Sequence, residues 1–285
     1  MKNALLISLL LSVVPVAAHA ADLSIEPEAP AASSLASRGL SGYVEVTGLQ
    51  TAFWDYEFAG FGITGALAYF IDSNWQIEGE LRVQSAFETT NEYSNLETNI
   101  AALHLNYHGD SYSVGAFGGV VAMTDYYDTG LGYSVLGGIE AQLALGDYIV
   151  IGGQVGSSRQ VSGENLSDPV NSVFGQVDMK VFPLDNLKLQ ASVGMAKGDV
   201  WGVDQLDLLS VGLEAEYQFE DSPLSIFASY TYTAEDGFGD DFLDHGVARV
   251  GARFSLDGQS LKDQATSGAS HKVYDFTGVA AMRWY

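Results

Sequence analysis

Gln76, Glu78, Glu80 and Arg82 stand two residues apart, the spacing that puts side chains on one face of an extended strand. Such a row of carboxylates, amide and guanidinium can line water, shape a transverse field, or pair with charges on facing strands. Trp75, Ile77, Gly79, Leu81 and Val83 form the opposite, apolar row. The same division recurs at Lys188 and Gln190 against Leu187, Leu189 and Val193, and at Glu214 and Glu216 against Leu209, Val211 and Leu213. Taken together, the polar rows carry Glu45, Glu78, Glu80, Glu140, Asp178, Glu214 and Glu216 against Arg82, Lys180, Lys188, Arg249 and Arg253. Glu78, Glu80, Arg82, Lys188, Glu214, Glu216, Arg249 and Arg253 are the candidates for shaping and narrowing a wet interior. The competing reading is a network that fills a closed interior, with Glu45 pairing Arg249 or Arg253 where the first and last strands meet.

Other chemistry is thinner. Glu235, Asp236, Asp240, Asp241 and Asp244 cluster in one link with Gly237 and Gly239. Carboxylates so clustered can hold a divalent cation, so Asp236, Asp240, Asp241 and Asp244 form a candidate metal set. Their spacing is not that of an EF-hand, and a charge run in a loop is often just solvated. His104 and His108 are four apart, about 13 Å on a strand, too far to chelate one ion. No Ser, His and polar orienter converge in sequence, so the roles of nucleophile, base and orienter go unfilled and no enzyme is expected. No cofactor is implied.

The elements that must position these rows are strands. From residue 42 to 256 about twelve segments of roughly ten residues alternate in this way, the length a tilted membrane strand requires. They fall near 42–52, 60–71, 75–86, 96–107, 111–123, 132–144, 148–156, 170–181, 186–196, 207–219, 224–234 and 246–256. In 111–123 and 148–156 both faces carry Gly and aliphatics, which leaves the register open, because a slip of one residue exchanges the faces. Short polar turns at 72–74, 108–110, 145–147, 183–185 and 220–223 alternate with longer links at 53–59, 87–95, 124–131, 156–169, 197–205 and 235–245. Aromatics gather near strand ends: Trp75, Tyr112, Tyr148 and Phe219 beside turns, and Phe53, Phe87, Tyr133, Tyr230 and Tyr232 toward the longer links. Interfacial girdles have that arrangement.

A basic start at Lys2, an apolar run to Ala17 and Ala18-His19-Ala20 give residues 1–20 the form of a cleaved signal peptide. Residues 21–41 lack periodicity and read as a flexible periplasmic lead-in. The chain has no cysteine and a formal net charge of −24, which excludes a disulfide framework and makes nucleic acid a poor partner. Half-apolar composition without a long apolar run, together with export, points to an all-β, closed, antiparallel transmembrane β-barrel of about twelve strands. Its apolar rows face lipid and its polar rows face the lumen.

The final strand carries the one local resemblance. Arg249, Gly251, Phe254 and Leu256 occupy the positions of the assembly signal of Gram-negative outer-membrane proteins, in an order that resembles it: polar residue, Gly, aromatic, terminal hydrophobic. The chain departs from that pattern because 257–285 follow. The resemblance implies an outer-membrane β-barrel of porin-like type. It also implies contact with outer-membrane lipid, lipopolysaccharide and the barrel assembly machinery, and passive diffusion of small hydrophilic solutes. Acidic links and excess lumen carboxylates lean this toward cations. The alternatives are a closed structural or surface-interaction barrel acting through its acidic loops and, last, a lipid-modifying enzyme. The 257–285 tail is expected to be either a periplasmic extension or a partial plug. The sequence does not specify an oligomeric state.

Overall fold

The computed structural model describes residues 39–53, 56–89, 95–124, 131–162, 171–200, 203–236 and 243–274. Alternation along each segment yields twelve strands: β1 (Leu40–Phe53), β2 (Tyr56–Phe70), β3 (Trp75–Glu88), β4 (Asn95–His108), β5 (Tyr112–Thr124), β6 (Leu131–Leu145), β7 (Ile149–Ser162), β8 (Asn171–Leu184), β9 (Leu187–Val200), β10 (Val203–Gln218), β11 (Leu224–Asp236) and β12 (Leu243–Ser255). Each pairs antiparallel with its sequence neighbours, and β1 pairs with β12, so the sheet closes into a barrel. Closure leaves no strand edge without ladder partners, the condition for a sheet in lipid.

The barrel is inside out relative to a soluble sheet. Val46, Phe61, Leu81, Leu103, Val173 and Leu213 are exposed on its wall, while Glu78, Glu80, Arg82, Lys188, Glu216 and Arg253 are buried in its interior. Trp75, Tyr112, Tyr148 and Phe219 all present exposed rings at the turn end, which suits an interfacial girdle. In β5 the even residues face out and Ser113, Phe117, Val121 and Met123 face in; in β7 Val150 faces in and Val155 out. The two open registers are thereby fixed.

Strands run 13 to 16 residues, longer than the ten expected, and most of the added residues lie at the loop end, β8 instead gaining 182–184 at its turn end. Two links shorten accordingly: 53–59 contracts to residues 54 and 55, and 197–205 to residues 201 and 202. Beyond the apolar belt the outward row need not be apolar, as exposed Glu57, Lys197 and Asp207 show. The alternation fades there although the ladder continues.

The lumen is not uniformly polar. Toward the loop end, Ile100, Phe117, Val121, Leu136, Phe174 and Leu208 form one inward apolar cluster. The chain that follows β12 re-enters the barrel. Ser260 caps a short helix, α1 (Leu261–Ser267), by accepting from the Asp263 N–H at 3.1 Å, and Gly268 N–H closes its other end on the Gln264 carbonyl. Leu261 and Ala265 bury against Val150 and Phe182 at the turn end. Residues 268–274 then extend upward into the lumen until Val273 and Tyr274 join the apolar cluster.

Candidate functional site

The inward row of β3 is the track on which this tail lies. Gln76 Nε2 donates to the Ser267 and Gly268 carbonyls at 3.4 and 3.3 Å. Two residues on, Glu78 accepts from the His271 backbone N–H at 3.5 Å and faces its ring Nδ1 at 3.3 Å. Glu80 accepts from the Val273 N–H at 2.9 Å, and Arg82 Nη2 donates to the Val273 carbonyl at 3.1 Å and to Glu80 at 2.6 Å. One period-2 row therefore meets one extended segment step by step. A buried carboxylate is otherwise costly, and backbone donors from the tail reach one oxygen of each, while Glu78 Oε1 has no hydrogen-bond partner among the described residues.

Tyr274 completes the seat. Its hydroxyl lies 2.6 Å from Ser210 Oγ, its N–H donates to Gln154 at 3.0 Å, and its ring stands 6.3 Å from Phe174. The ring rests on Gly194 of β9, where an added Cβ would come within 2.5 Å of it. Glycine is required there by this close approach.

A second network circles the turn-side half of the lumen. Glu45 stands opposite Arg253 across the β1–β12 closure, and Arg253 donates to Glu45 at 2.7 and 3.1 Å and to Glu216 at 2.6 Å. Lys188 bridges Glu216 and Glu214, the latter at 2.9 Å. Ser225 Oγ donates to Glu216 at 2.6 Å, and Lys272 of the tail donates to Glu45 at 3.1 Å. The Arg253 guanidinium also stacks over Tyr43 at 4.8 Å and Phe227 at 5.6 Å. Phe227 lies in turn on Gly251, where a Cβ would meet its ring at 2.5 Å. Gly251 is thus required for packing here, whatever its part in assembly. Arg249 faces the lumen, and Phe254 and Leu256 face outward.

Beside the tail runs a polar cavity of about 260 Å³. Of the eight expected lining residues, Arg82, Lys188, Glu214, Arg249 and Arg253 line it. Glu78 and Glu80 instead hold the tail, and Glu216 stands behind Lys188 and Arg253. The cavity wall also carries Gln84, Gln154, Gln176 and Gln190, of which the sequence placed only Gln190 in a polar row and none among the candidate lining residues.

Three histidines converge that sequence spacing kept apart. His104 Nδ1 lies 3.0 Å from both Glu140 oxygens, and its ring is 6.2 Å from that of His271. The His271 ring is 6.4 Å from that of His108. The joining residue comes from the tail, which a strand-by-strand reading had no reason to place there. None of the three lines the cavity. Of the acidic loop set, Asp240 and Asp241 lie outside the described residues, as do the side chains of Asp236 and Asp244. Among the described residues no group of three or more His or carboxylate side chains is arranged to hold a metal ion.

No protein-family model matches the chain, and no curated protein matches it by sequence. Solved structures match its fold. An outer-membrane channel from Pseudomonas putida F1 superposes with a TM-score of 0.58 at 10% identity, covering 80% of this chain and 100% of that one. The KdgM porin gives a TM-score of 0.47 at 6% identity, covering 74% and 98%. The β domain of the Bordetella autotransporter BrkA gives 0.48 at 14% identity, covering 76% and 100%. The chain has the twelve-stranded closed-barrel fold and is similar in fold to an outer-membrane channel.

Proposed function

We propose that this protein is a non-enzymatic outer-membrane channel for passive diffusion of small hydrophilic solutes, narrowed by a resident plug formed by residues 257–274. One observation carries the reading: beside the seated tail, a polar cavity of about 260 Å³ remains in the lumen of a barrel whose outer wall is apolar. In this reading residues 1–20 direct export and are cleaved. Arg249, Gly251, Phe254 and Leu256 present the last strand to the barrel assembly machinery, and lipid and lipopolysaccharide surround the apolar wall. The expected cation preference rests on the acidic loop residues and on a carboxylate excess in the lumen; the wall of the cavity carries no such excess.

The competing reading, a sealed barrel working through its loops, draws on the buried ion network and on the tail bonded across the lumen. Planar-bilayer recording separates them. Discrete, salt-dependent steps that grow larger on deletion of 257–285 support the plugged channel. A silent bilayer from correctly folded protein, both intact and truncated, refutes it. Unchanged conductance on truncation removes the plug and leaves the channel.

A further inference from the structure

The charges of this chain are unevenly placed. It has 36 Asp and Glu against 12 Lys and Arg, yet the lumen cavity is lined by six of those basic residues, Arg82, Lys180, Lys188, Arg249, Arg253 and Lys272, against three acids, Glu45, Asp178 and Glu214. Half of all the Lys and Arg in the chain thus face one cavity. Glu80 and Glu216 pair with Arg82, Lys188 and Arg253 from behind the wall. They reduce the local net charge, but they orient each pair with its positive end toward the solute. Preorganised dipoles of that kind act on a passing charge without reorganising.

Amides and hydroxyls stand among these charges, Gln84, Gln176, Gln190, Ser192, Ser229 and Thr231, beside an apolar part of the wall that includes Phe227, Leu261 and Val273. Tyr43 also lines the cavity, with two cations over its ring. It is buried, its hydroxyl has no hydrogen-bond partner among the described residues, and its ring carries Arg253 at 4.8 Å and Lys272 at 5.3 Å. The volume is just below the range of about 300–1,000 Å³ usual for small-molecule sites, which suits one sugar-sized unit and not an oligomer.

We infer that this cavity is an anion-preferring constriction and a binding site for small hydroxylated carboxylates, which sets the sign of selectivity inside the barrel and not at its acidic mouth. The inference rests on the channel reading and deepens it. Cations draw the carboxylate in, and the glutamine, serine and threonine wall replaces the water lost by the hydroxyls. That exchange keeps the desolvation of a polyhydroxylated solute small. Lys272 belongs to the tail, so the plug contributes to the site that it narrows.

The test uses the full-length mature chain in planar bilayers under a potassium chloride gradient, followed by recording with gluconate as the carboxylate probe and sorbitol as its uncharged counterpart. The expected reversal potential has the sign of anion preference, and gluconate lowers the chloride current saturably while sorbitol does not. A unit charge about 8 Å from the path, screened by water, biases the anion-to-cation ratio by about five-fold. Lys272→Gln and Arg249→Gln each lower the ratio by about that factor, and Asp178→Asn raises it. A cation-selective reversal potential in the unmodified protein overturns the inference. So does anion preference that none of the three variants moves, or gluconate block no stronger than that of sorbitol. A silent bilayer overturns the channel reading itself, a different result from any of these.

Discussion

Replacing Arg253 by Met removes the charge that ties the β1–β12 pair to the interior network. The guanidinium satisfies Glu45 across the β1–β12 closure at 2.7 and 3.1 Å and Glu216 on β10 at 2.6 Å. It is buried, as are both carboxylates. Removing one partner of a buried ion pair costs about 3–5 kcal/mol, because the other charge stays behind uncompensated. Two lysines soften the loss: Lys272 holds Glu45 at 3.1 Å and Lys188 holds Glu216. The lower end, about 3 kcal/mol, therefore applies, and loss of the stack on Tyr43 adds about 1 kcal/mol. Methionine preserves much of the stem's packing, so the effect reads charge and not volume. The assay is urea unfolding of the protein folded in lipid vesicles, followed by tryptophan fluorescence and by migration of unheated samples on gels. The triple variant Arg253→Met with Glu45→Gln and Glu216→Gln recovers most of the loss, since no buried carboxylate is then orphaned and Lys188 keeps Glu214. A single-variant loss below about 1 kcal/mol, or a triple variant no more stable than the single, refutes this account of the network.

Three further outcomes follow from the same contacts. Gly194→Val places side-chain atoms where the Tyr274 ring lies; the tail lifts from its seat, and single-channel conductance rises toward that of the truncated chain while the barrel still folds. Because the chain has no cysteine, Val150→Cys with Ala265→Cys, in one apolar cluster, lets a short cleavable thiol crosslinker tie wall to helix; the crosslink suppresses the large-conductance events that loosening of the tail produces, and its cleavage restores them. Asp72 accepts backbone N–H bonds from Asn74 and Trp75, both at 2.8 Å, and these donors hold its carboxyl below the ordinary value of 3.8. Its support of the β2–β3 turn is therefore full above the ordinary value and is lost as pH falls through the lower folded one. Amide hydrogen exchange at Asn74 and Trp75 accelerates over that acidic window, and Asp72→Ala abolishes the pH dependence.

The sequence by itself determined the barrel. Period-2 alternation is a local property of each strand, and Trp75–Val83 declares a two-faced strand with no knowledge of its neighbours. Twelve such segments with matching phase leave closure as the way to satisfy every ladder in lipid. The same locality explains the two open registers: with Gly and aliphatics on both faces, 111–123 needed the cross-strand pairing to put Phe117, Val121 and Met123 inside. Strand length was underestimated because alternation marks only the lipid belt, while hydrogen-bonded pairing continues beyond it.

Only the tertiary structure decided what fills the lumen. Gln76, Glu78, Glu80 and Arg82 were legible as an inward row, but their partners lie about 190 positions away, at 267–273. Nothing local to β3 distinguishes a carboxylate that faces water from one that accepts a backbone N–H. The convergence of His104, His108 and His271, the seating of Tyr274 on Gly194, and the division of the inward charges between tail, closure and cavity have the same origin. A closed barrel brings every inward row to one axis, and which rows meet there is set by the path of the tail through that axis, a long-range fact that no strand's own pattern encodes.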